Sequence, residues 1–458
     1  MGRPHLLVIP YPAQGHVMPL MELSHNLADR GFKITFVHTE DTHKKVVAAL
    51  SSTGNDYEEF VELVSIPDGL EASEEERKFL AAELIEIMIE KMPAYLEELI
   101  NKINTSNDGN DRISCVIADL NCGWAVEVAE KLSIPRAVFL PASADLIATN
   151  LSIPKFIEDG LISEDGAIIN EQTFQQSPTM PAKTTKDLSW LNMGGILAFE
   201  KVVFNMICEN NRAVKAADYF LCNSFYDLEP SAFDLVPNLK PIGPIFASSK
   251  MAHFWAEDST CLSWLDQQPP SSVIYVAFGS IAILDKKQFD ELALGLELSG
   301  QRFLWVVRQD LLDDNKATVV YPDGFEERVG CRARIVAWAP QREVLAHPAV
   351  GCFLSHCGWN STMEGISHGG VPFLCFPYFY DQIVNKKYIC DVWKVGLGFN
   401  QDENGLISRK EIKTKVLEIF GAEEIKENAL KLKEKARNNV SDGGVSSKNF
   451  DDFVQAIR

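Results

Sequence analysis

The chain has 458 residues, a formal net charge of -21, 46% apolar residues and 23% charged ones. That length exceeds one compact core and predicts two domains of roughly 200 residues each. The acidic balance argues against binding nucleic acid or an anionic lipid surface, so an anionic ligand would need a local pocket of oriented donors.

No apolar run is long enough to insert into a membrane, and no signal-peptide or myristoylation pattern opens the sequence. The ten cysteines are scattered without C-x-x-C spacing. A cytoplasmic protein with reduced, buried thiols is the expectation.

In chain order, residues 6–10 read as a buried strand and residues 18–28 as a helix with Leu20, Leu23 and Leu27 on one face, closed by Gly31. Strands are expected at 34–38, 60–66, 114–118 and 137–140, with a long amphipathic helix at 81–103. Residues 153–182 are polar and turn-rich and read as a long surface loop; residues 219–222 return to strand. The Lys240-Pro241-Ile242-Gly243-Pro244 run and the polar residues to Ser259 have linker composition.

Strands at 273–278, 303–307, 334–338, 352–355 and 372–376 then alternate with helices at 288–298, 343–346 and 361–367. The expected organisation is a domain at 1–240, a linker at 241–260, a domain at 261–440, and a last helix at 441–458 packing back on the first domain. Short apolar strands alternating with helices predict an α/β fold of two doubly wound parallel sheets with a cleft between them. Ligands in such sheets sit at the carboxyl ends of the strands.

Residues 338–382 carry the densest constellation. Ser355-His356 closes an apolar strand, Gly358 permits a tight turn, and Asn360 or Ser361 is placed to cap the next helix. A strand, a turn and a helix N-terminus present N–H groups and a positive dipole end to a diphosphate, and His356 adds a donor. Glu364 either completes a capping box with Ser361 or binds two ribose hydroxyls. Trp338 is either core or stacked on a base. Asp381-Gln382 either reads vicinal sugar hydroxyls or simply begins a helix.

At the other end, Pro12-Ala13-Gln14-Gly15-His16 follows the first strand. An imidazole with an ordinary pKa near ~6.5 suits removal of a hydroxyl proton; the bland alternative is a loop histidine. Asp119 follows the strand at 114–118 and can reach the same edge to hold the imidazole tautomer, or else cap the next helix.

The 338–382 segment resembles the signature box of plant family 1 UDP-dependent glycosyltransferases. Ser263-Trp264-Leu265-Asp266, Tyr275-Val276-Ala277-Phe278-Gly279-Ser280 and Pro12-Ala13-Gln14-Gly15-His16 match in the expected order. The resemblance implies the GT-B fold, an acceptor-binding N-terminal domain and a UDP-sugar-binding C-terminal one. It implies Trp338 on uracil with the Ala339 backbone at the base edge, and Gln341 and Glu364 on the ribose. His356, Gly358, Asn360, Ser361 and Ser280 would surround the diphosphate. Asp381, Gln382 and the Trp359 backbone would contact the sugar, with Gln382 favouring glucose.

His16 and Asp119 become the catalytic pair of an inverting, metal-free O-glucosyltransferase using UDP-glucose and a small apolar acceptor, expected as a monomer. Neither an Asp-x-Asp metal motif nor a G-x-G-x-x-G dinucleotide motif occurs. The resemblance also has departures. Pro141 stands where relatives carry Ser or Thr, leaving Ser143 as a substitute. The box has one surplus residue at Gly369-Gly370, expected to be absorbed in the turn after the helix. Trp124, Trp190, Phe199 and Phe204 are candidate walls of the acceptor pocket.

Overall fold

The computed structural model describes residues 3–53, 61–70, 81–106, 111–193, 197–246, 257–280, 284–308 and 320–458. Residues 247–256 of the expected linker, and residue 60 of an expected strand, lie outside that set. The chain divides into two compact units. One comprises Met1–Ser177, Ala182–Phe254 and Asn439–Arg458; the other comprises Pro178–Pro181 and Trp255–Asn438.

The first unit is built on a seven-stranded parallel sheet of β1 (His5–Ile9), β2 (Lys33–Thr39), β3 (Val61–Ile66), β4 (Ile113–Asp119), β5 (Arg136–Leu140), β6 (Tyr219–Cys222) and β7 (Leu239–Pro241). Its order is β3-β2-β1-β4-β5-β6-β7. All five residues of β1 are buried, as expected for a parallel strand covered on both faces. The core joins Leu6, Val8, Ile34, Phe36 and Ile117 to Leu20, Leu23 and Leu27 of α1 (Gln14–Asp29).

That helix starts four residues before the expected one. Its N-cap is Ala13, which makes no side-chain cap bond, and it contains Gly15 and Pro19. No conventional start signal exists there to read. His16 consequently lies in the first helical turn and not in a loop.

Two more expectations are corrected. Residues 153–182 are not one surface loop. They contain a helix at Ile153–Glu158 and a strand, Thr173–Phe174, paired antiparallel with Lys183–Thr184. Phe156, Leu161, Ile162 and Met180 are buried. The anchor is Lys183, 1% exposed, whose Nζ donates to both oxygens of Asp145 at 2.7 Å and to Thr149 Oγ1 at 2.8 Å. Local composition gives no sign of a partner 38 residues away in the chain.

The Pro/Gly run at 240–244 also begins as structure. Leu239–Pro241 is an edge strand, the one sheet position that tolerates proline, and Ile242 and Ile245 join the core. The helix Val445–Ala456 belongs to the same unit. Phe453, Val454 and Ile457 enter its core, and Asn449 Nδ2 donates to Pro241 O at 2.8 Å.

The second unit holds a six-stranded parallel sheet of β8 (Val273–Ala277), β9 (Arg302–Val306), β10 (Ala333–Val336), β11 (Val350–Ser355), β12 (Phe373–Cys375) and β13 (Gly396–Gly398). Its order is β10-β9-β8-β11-β12-β13. In each sheet the strand order reverses beside the first strand, between β1 and β4 and between β8 and β11. A crevice opens at the carboxyl ends of such a pair.

Candidate functional site

In the first unit the chain leaves β1 through Tyr11 to Ala13 and turns at once into α1. This puts His16 at the carboxyl edge of β1, while Asp119 is the last residue of β4. The two side chains meet across the reversal point. His16 Nδ1 lies 2.8 Å from Asp119 Oδ2. A carboxylate only accepts, so Nδ1 carries the hydrogen and Nε2 keeps the lone pair of the neutral ring. Asp119 is completely buried and His16 retains 26% side-chain exposure, the arrangement of an orienting acid behind an accessible base.

Asp119 also makes the capping contact weighed for it, its Oδ1 accepting from the Asn121 backbone N–H at 2.8 Å. The ring of Tyr11 stands edge-on to the imidazole, with centroids 5.3 Å apart; sequence reading did not single it out.

In the second unit the reversal point lies between the turn after β8, holding Gly279 and Ser280, and the turn after β11, holding His356. The imidazole sits between two glycines. A Cβ on Gly279 would come 2.7 Å from His356 Nε2 and one on Gly358 2.4 Å from it. Burial pushes the His356 pKa down to about 4, and the charge of Arg308 acts in the same direction, so the ring is neutral at neutral pH.

The tight turn is not made by Gly358, which is extended (φ -62°, ψ 146°) and serves as the N-cap. Cys357 takes the left-handed conformation, φ 65°, and its N–H bonds Ser355 Oγ at 3.1 Å. Neither Asn360 nor Ser361 is the cap, since both lie inside α2 (Trp359–Glu364). Gly358 is required there for space.

That helix begins two residues before Ser361 with Gly358 as its N-cap, which rules out the capping box between Ser361 and Glu364. Instead Gln341 Nε2 donates to Glu364 Oε2 at 2.7 Å and to Ser361 Oγ at 2.9 Å. Arg342 Nε donates to Glu364 Oε1 at 3.1 Å, and Tyr275 Oη to Gln341 Oε1 at 3.0 Å. Gln341, Ser361 and Glu364 therefore form one polar cluster. Trp338 lies two residues beyond β10, half-buried, with Ala339 buried beside it.

Asp381 stands at the N-cap position of α3 (Gln382–Lys387) without a side-chain cap bond, and its Oδ2 accepts from Asn385 Nδ2 at 2.9 Å. The same amide donates to Cys357 O at 3.0 Å. Asn385, absent from the sequence reading, thus ties Asp381 to the His356 turn. Gln382 Oε1 accepts from the Tyr378 and Phe379 N–H groups at 2.8 and 3.2 Å.

At the surplus residue the helix ends in a wide turn. Gly365–Gly369 form a π turn, Gly370 N–H reaches Gly365 O at 2.9 Å, and Gly370 is left-handed with φ 62°.

The proposed acceptor walls divide. Trp190 and Phe204 are core, their rings tilted at 57° with centroids 5.2 Å apart, and Trp190 Nε1 donates to Gly166 O at 2.9 Å. Trp124 is buried and Phe199 half-buried. Ser143 caps the helix Ala144–Leu151, accepting from Leu146 N–H at 3.2 Å. Among the described residues no group of three or more His, Cys, Asp or Glu side chains is placed to hold a metal ion, and no helix is long and apolar enough to cross a membrane.

The family model for UDP-glucoronosyl and UDP-glucosyl transferase matches residues 198–439. The chain is 45% identical to UDP-glycosyltransferase 83A1 of Arabidopsis thaliana, covering 100% of this chain and 97% of that one. It is 31% identical to the 7-deoxyloganetin glucosyltransferase of Catharanthus roseus, again covering 100% and 97%. Among solved structures, Phytolacca americana UGT2 complexed with UDP-2fluoro-glucose and pterostilbene superposes with TM-score 0.80 at 28% identity, over 100% of this chain and 99% of that one. The two parallel sheets with flanking helices agree with these matches, and the chain belongs to the plant family 1 UDP-glycosyltransferases, enzymes of the GT-B fold.

Proposed function

We propose that this enzyme is an inverting, metal-independent UDP-glucose-dependent O-glucosyltransferase acting on a hydroxyl of a small apolar acceptor, a phenolic, flavonoid or terpenoid. It works in the cytoplasm as a monomer. The first unit binds the acceptor and the second the donor. Nε2 of His16 takes the acceptor proton as the oxygen attacks the anomeric carbon. The carbon–oxygen bond to UDP breaks, configuration inverts, and Asp119 stabilises the imidazolium.

In the donor half, Trp338 stacks on uracil with the Ala339 backbone at its edge, and Gln341 and Glu364 hold the ribose. Ser280, His356, Gly358, Asn360 and Ser361 surround the diphosphate. Asp381, Gln382 and the Trp359 backbone contact glucose.

The observation that carries the reading is the 2.8 Å contact between His16 and Asp119 across the reversal point of the first sheet. The Phytolacca complex and the Catharanthus glucosyltransferase support the donor and the kind of acceptor. The test is a panel of acceptors with UDP-glucose, UDP-galactose and UDP-xylose, read by mass spectrometry beside His16→Ala. Glucosides should form with wild type, and the variant should lose roughly a hundredfold in rate or more with UDP binding kept. Preference for another sugar refutes the donor assignment; a variant within a few-fold of wild type refutes the base.

A further inference from the structure

Three of the ten cysteines meet at the carboxyl edge of the second sheet. Cys375 is the last residue of β12 and is 1% exposed. Cys390 is half-buried in a π turn, Tyr388–Val392, that continues α3. Both are free thiols, and their sulfurs stand 3.8 Å apart although the residues are 15 positions apart in the chain. The Cys375 thiol also meets that of Cys357, the neighbour of His356.

The paired sulfurs differ in chemistry. Burial drives the Cys375 pKa well above that of an ordinary thiol, so this group stays protonated. The thiol contact with Cys375 holds the Cys390 pKa down against burial, and the charge of Lys386 acts the same way. Packing fixes that ammonium nearby: a Cβ on Gly398, the residue paired with Cys375 in β13, would lie 3.0 Å from Lys386 Nζ. A partly exposed sulfur favoured as thiolate, beside a buried thiol, is the arrangement of an oxidisable cysteine and its resolving partner.

We propose that Cys390 is a site of oxidation by peroxides, resolved by Cys375 into a disulfide that disables the glucose side of the donor site. The Cys390 thiolate attacks one peroxide oxygen and the O–O bond breaks. That oxygen stays on sulfur as sulfenic acid; the other leaves as water, or as an alcohol from an organic peroxide. The Cys375 sulfur then attacks the sulfenic sulfur, and its proton leaves with the hydroxyl as water. The pair of sulfurs gives up two electrons and the peroxide takes them.

A disulfide needs about 2.05 Å between sulfurs, so the pair closes by roughly 1.8 Å from its 3.8 Å separation. Cys375 is held on both sides, paired with Ser355 of β11 and Gly398 of β13, so the π turn gives way. It draws on α3, which begins at Asp381 and Gln382 and holds Asn385, whose Nδ2 ties Asp381 to the Cys357 carbonyl. Trp338, Gln341 and Glu364 lie on other elements. The damage therefore falls on glucose more than on UDP, a consequence that rests on the donor-site reading above.

The test treats the full chain with hydrogen peroxide and then with dithiothreitol, for wild type, Cys390→Ser and Cys375→Ala. Unreduced peptide mapping should find Cys375 joined to Cys390 in wild type. Glucose transfer should fall roughly 10- to 100-fold, the scale of an ångström's misplacement at a reacting centre, and return on reduction. UDP affinity by calorimetry should change by no more than about threefold, under 1 kcal/mol. Cys390→Ser should transfer glucose normally and resist peroxide. Cys375→Ala should trap the sulfenic acid, read as a dimedone adduct on Cys390, and it carries the test if the serine variant does not fold. Absence of the Cys375–Cys390 bond would overturn the proposal. So would equal inactivation of Cys390→Ser, or a disulfide formed with the transfer rate unchanged. A reduced wild-type protein that transfers glucose to no acceptor would instead refute the function proposed above; peptide mapping and UDP-glucose affinity would then decide the thiol chemistry separately.

Discussion

The carboxylate of Asp119 serves two donors, and Asp119→Asn forces a choice between them. Oδ2 accepts from His16 Nδ1 and Oδ1 from the Asn121 backbone N–H, each at 2.8 Å, in a completely buried position. In asparagine one oxygen becomes an NH2. If the amide oxygen stays on Asn121, the NH2 faces His16, Nδ1 must accept, and the hydrogen moves to Nε2, where the base lone pair is needed. If the amide turns over, the correct tautomer survives but the NH2 confronts the Asn121 N–H. That leaves a buried donor unsatisfied at about 1–3 kcal/mol.

The productive arrangement is then roughly 0.5–20% populated, and the charge opposite the imidazolium is lost as well. Together these predict a fall in kcat of about 10²–10⁴-fold. The assay is the initial rate of glucoside formation, with UDP affinity by calorimetry and the circular dichroism spectrum as controls, both expected unchanged. A folded Asp119→Asn enzyme within about fivefold of wild-type kcat would refute the reasoning and leave Asp119 a structural cap.

Gly358→Ala should drive its Cβ to 2.4 Å from His356 Nε2 while Gly279 blocks retreat; an overpacking cost of about 1–3 kcal/mol should appear as weaker UDP binding or a lower denaturation midpoint, and no change in either would contradict the glycine clamp. Glu229 is buried beneath the start of the helix Ala144–Leu151, accepting from the Ala144 and Asp145 N–H groups at 3.0 Å, and burial raises its pKa from 4.5 to about 7. The folded state therefore holds this proton where the unfolded chain has released it: the contribution is complete below about pH 4.5 and is lost as pH rises through about 7, amounting to about 3 kcal/mol. Urea unfolding should show the stability of wild type falling relative to Glu229→Gln between pH 5 and 8, and a pH-independent difference would contradict this. Deleting Gly370 should narrow the π turn to an ordinary helical one and leave glucose transfer within several-fold of wild type; near-complete loss in a folded variant would show that the placement of Glu364 relative to Asp381 depends on that residue.

The alternation of short apolar runs with amphipathic segments was legible without a structure, because burial on both faces of a parallel strand and on one face of a helix leaves a periodic trace. So was the placement of Asp119 and His356 at strand ends, since each lies at or just beyond the end of a strand that the pattern locates. What the pattern did not carry is which side chains meet across the chain. Ser361 and Glu364 have capping-box spacing, yet Glu364 bonds Gln341 and Arg342, because the helix starts two residues before Ser361 and the carboxylate faces another element. Gly358 was read as a turn residue; its real constraint is the imidazole packed against it, while Cys357 takes the left-handed turn. Residues 153–182 looked like a loop because their anchor, the buried Lys183–Asp145 pair, joins residues far apart in sequence. Arg308 and Asn385 left no trace at all, each being a polar residue at the edge of an apolar run. Periodicity records only how much of each side chain is covered; which partner covers it is decided when the sheets bring their strand ends together.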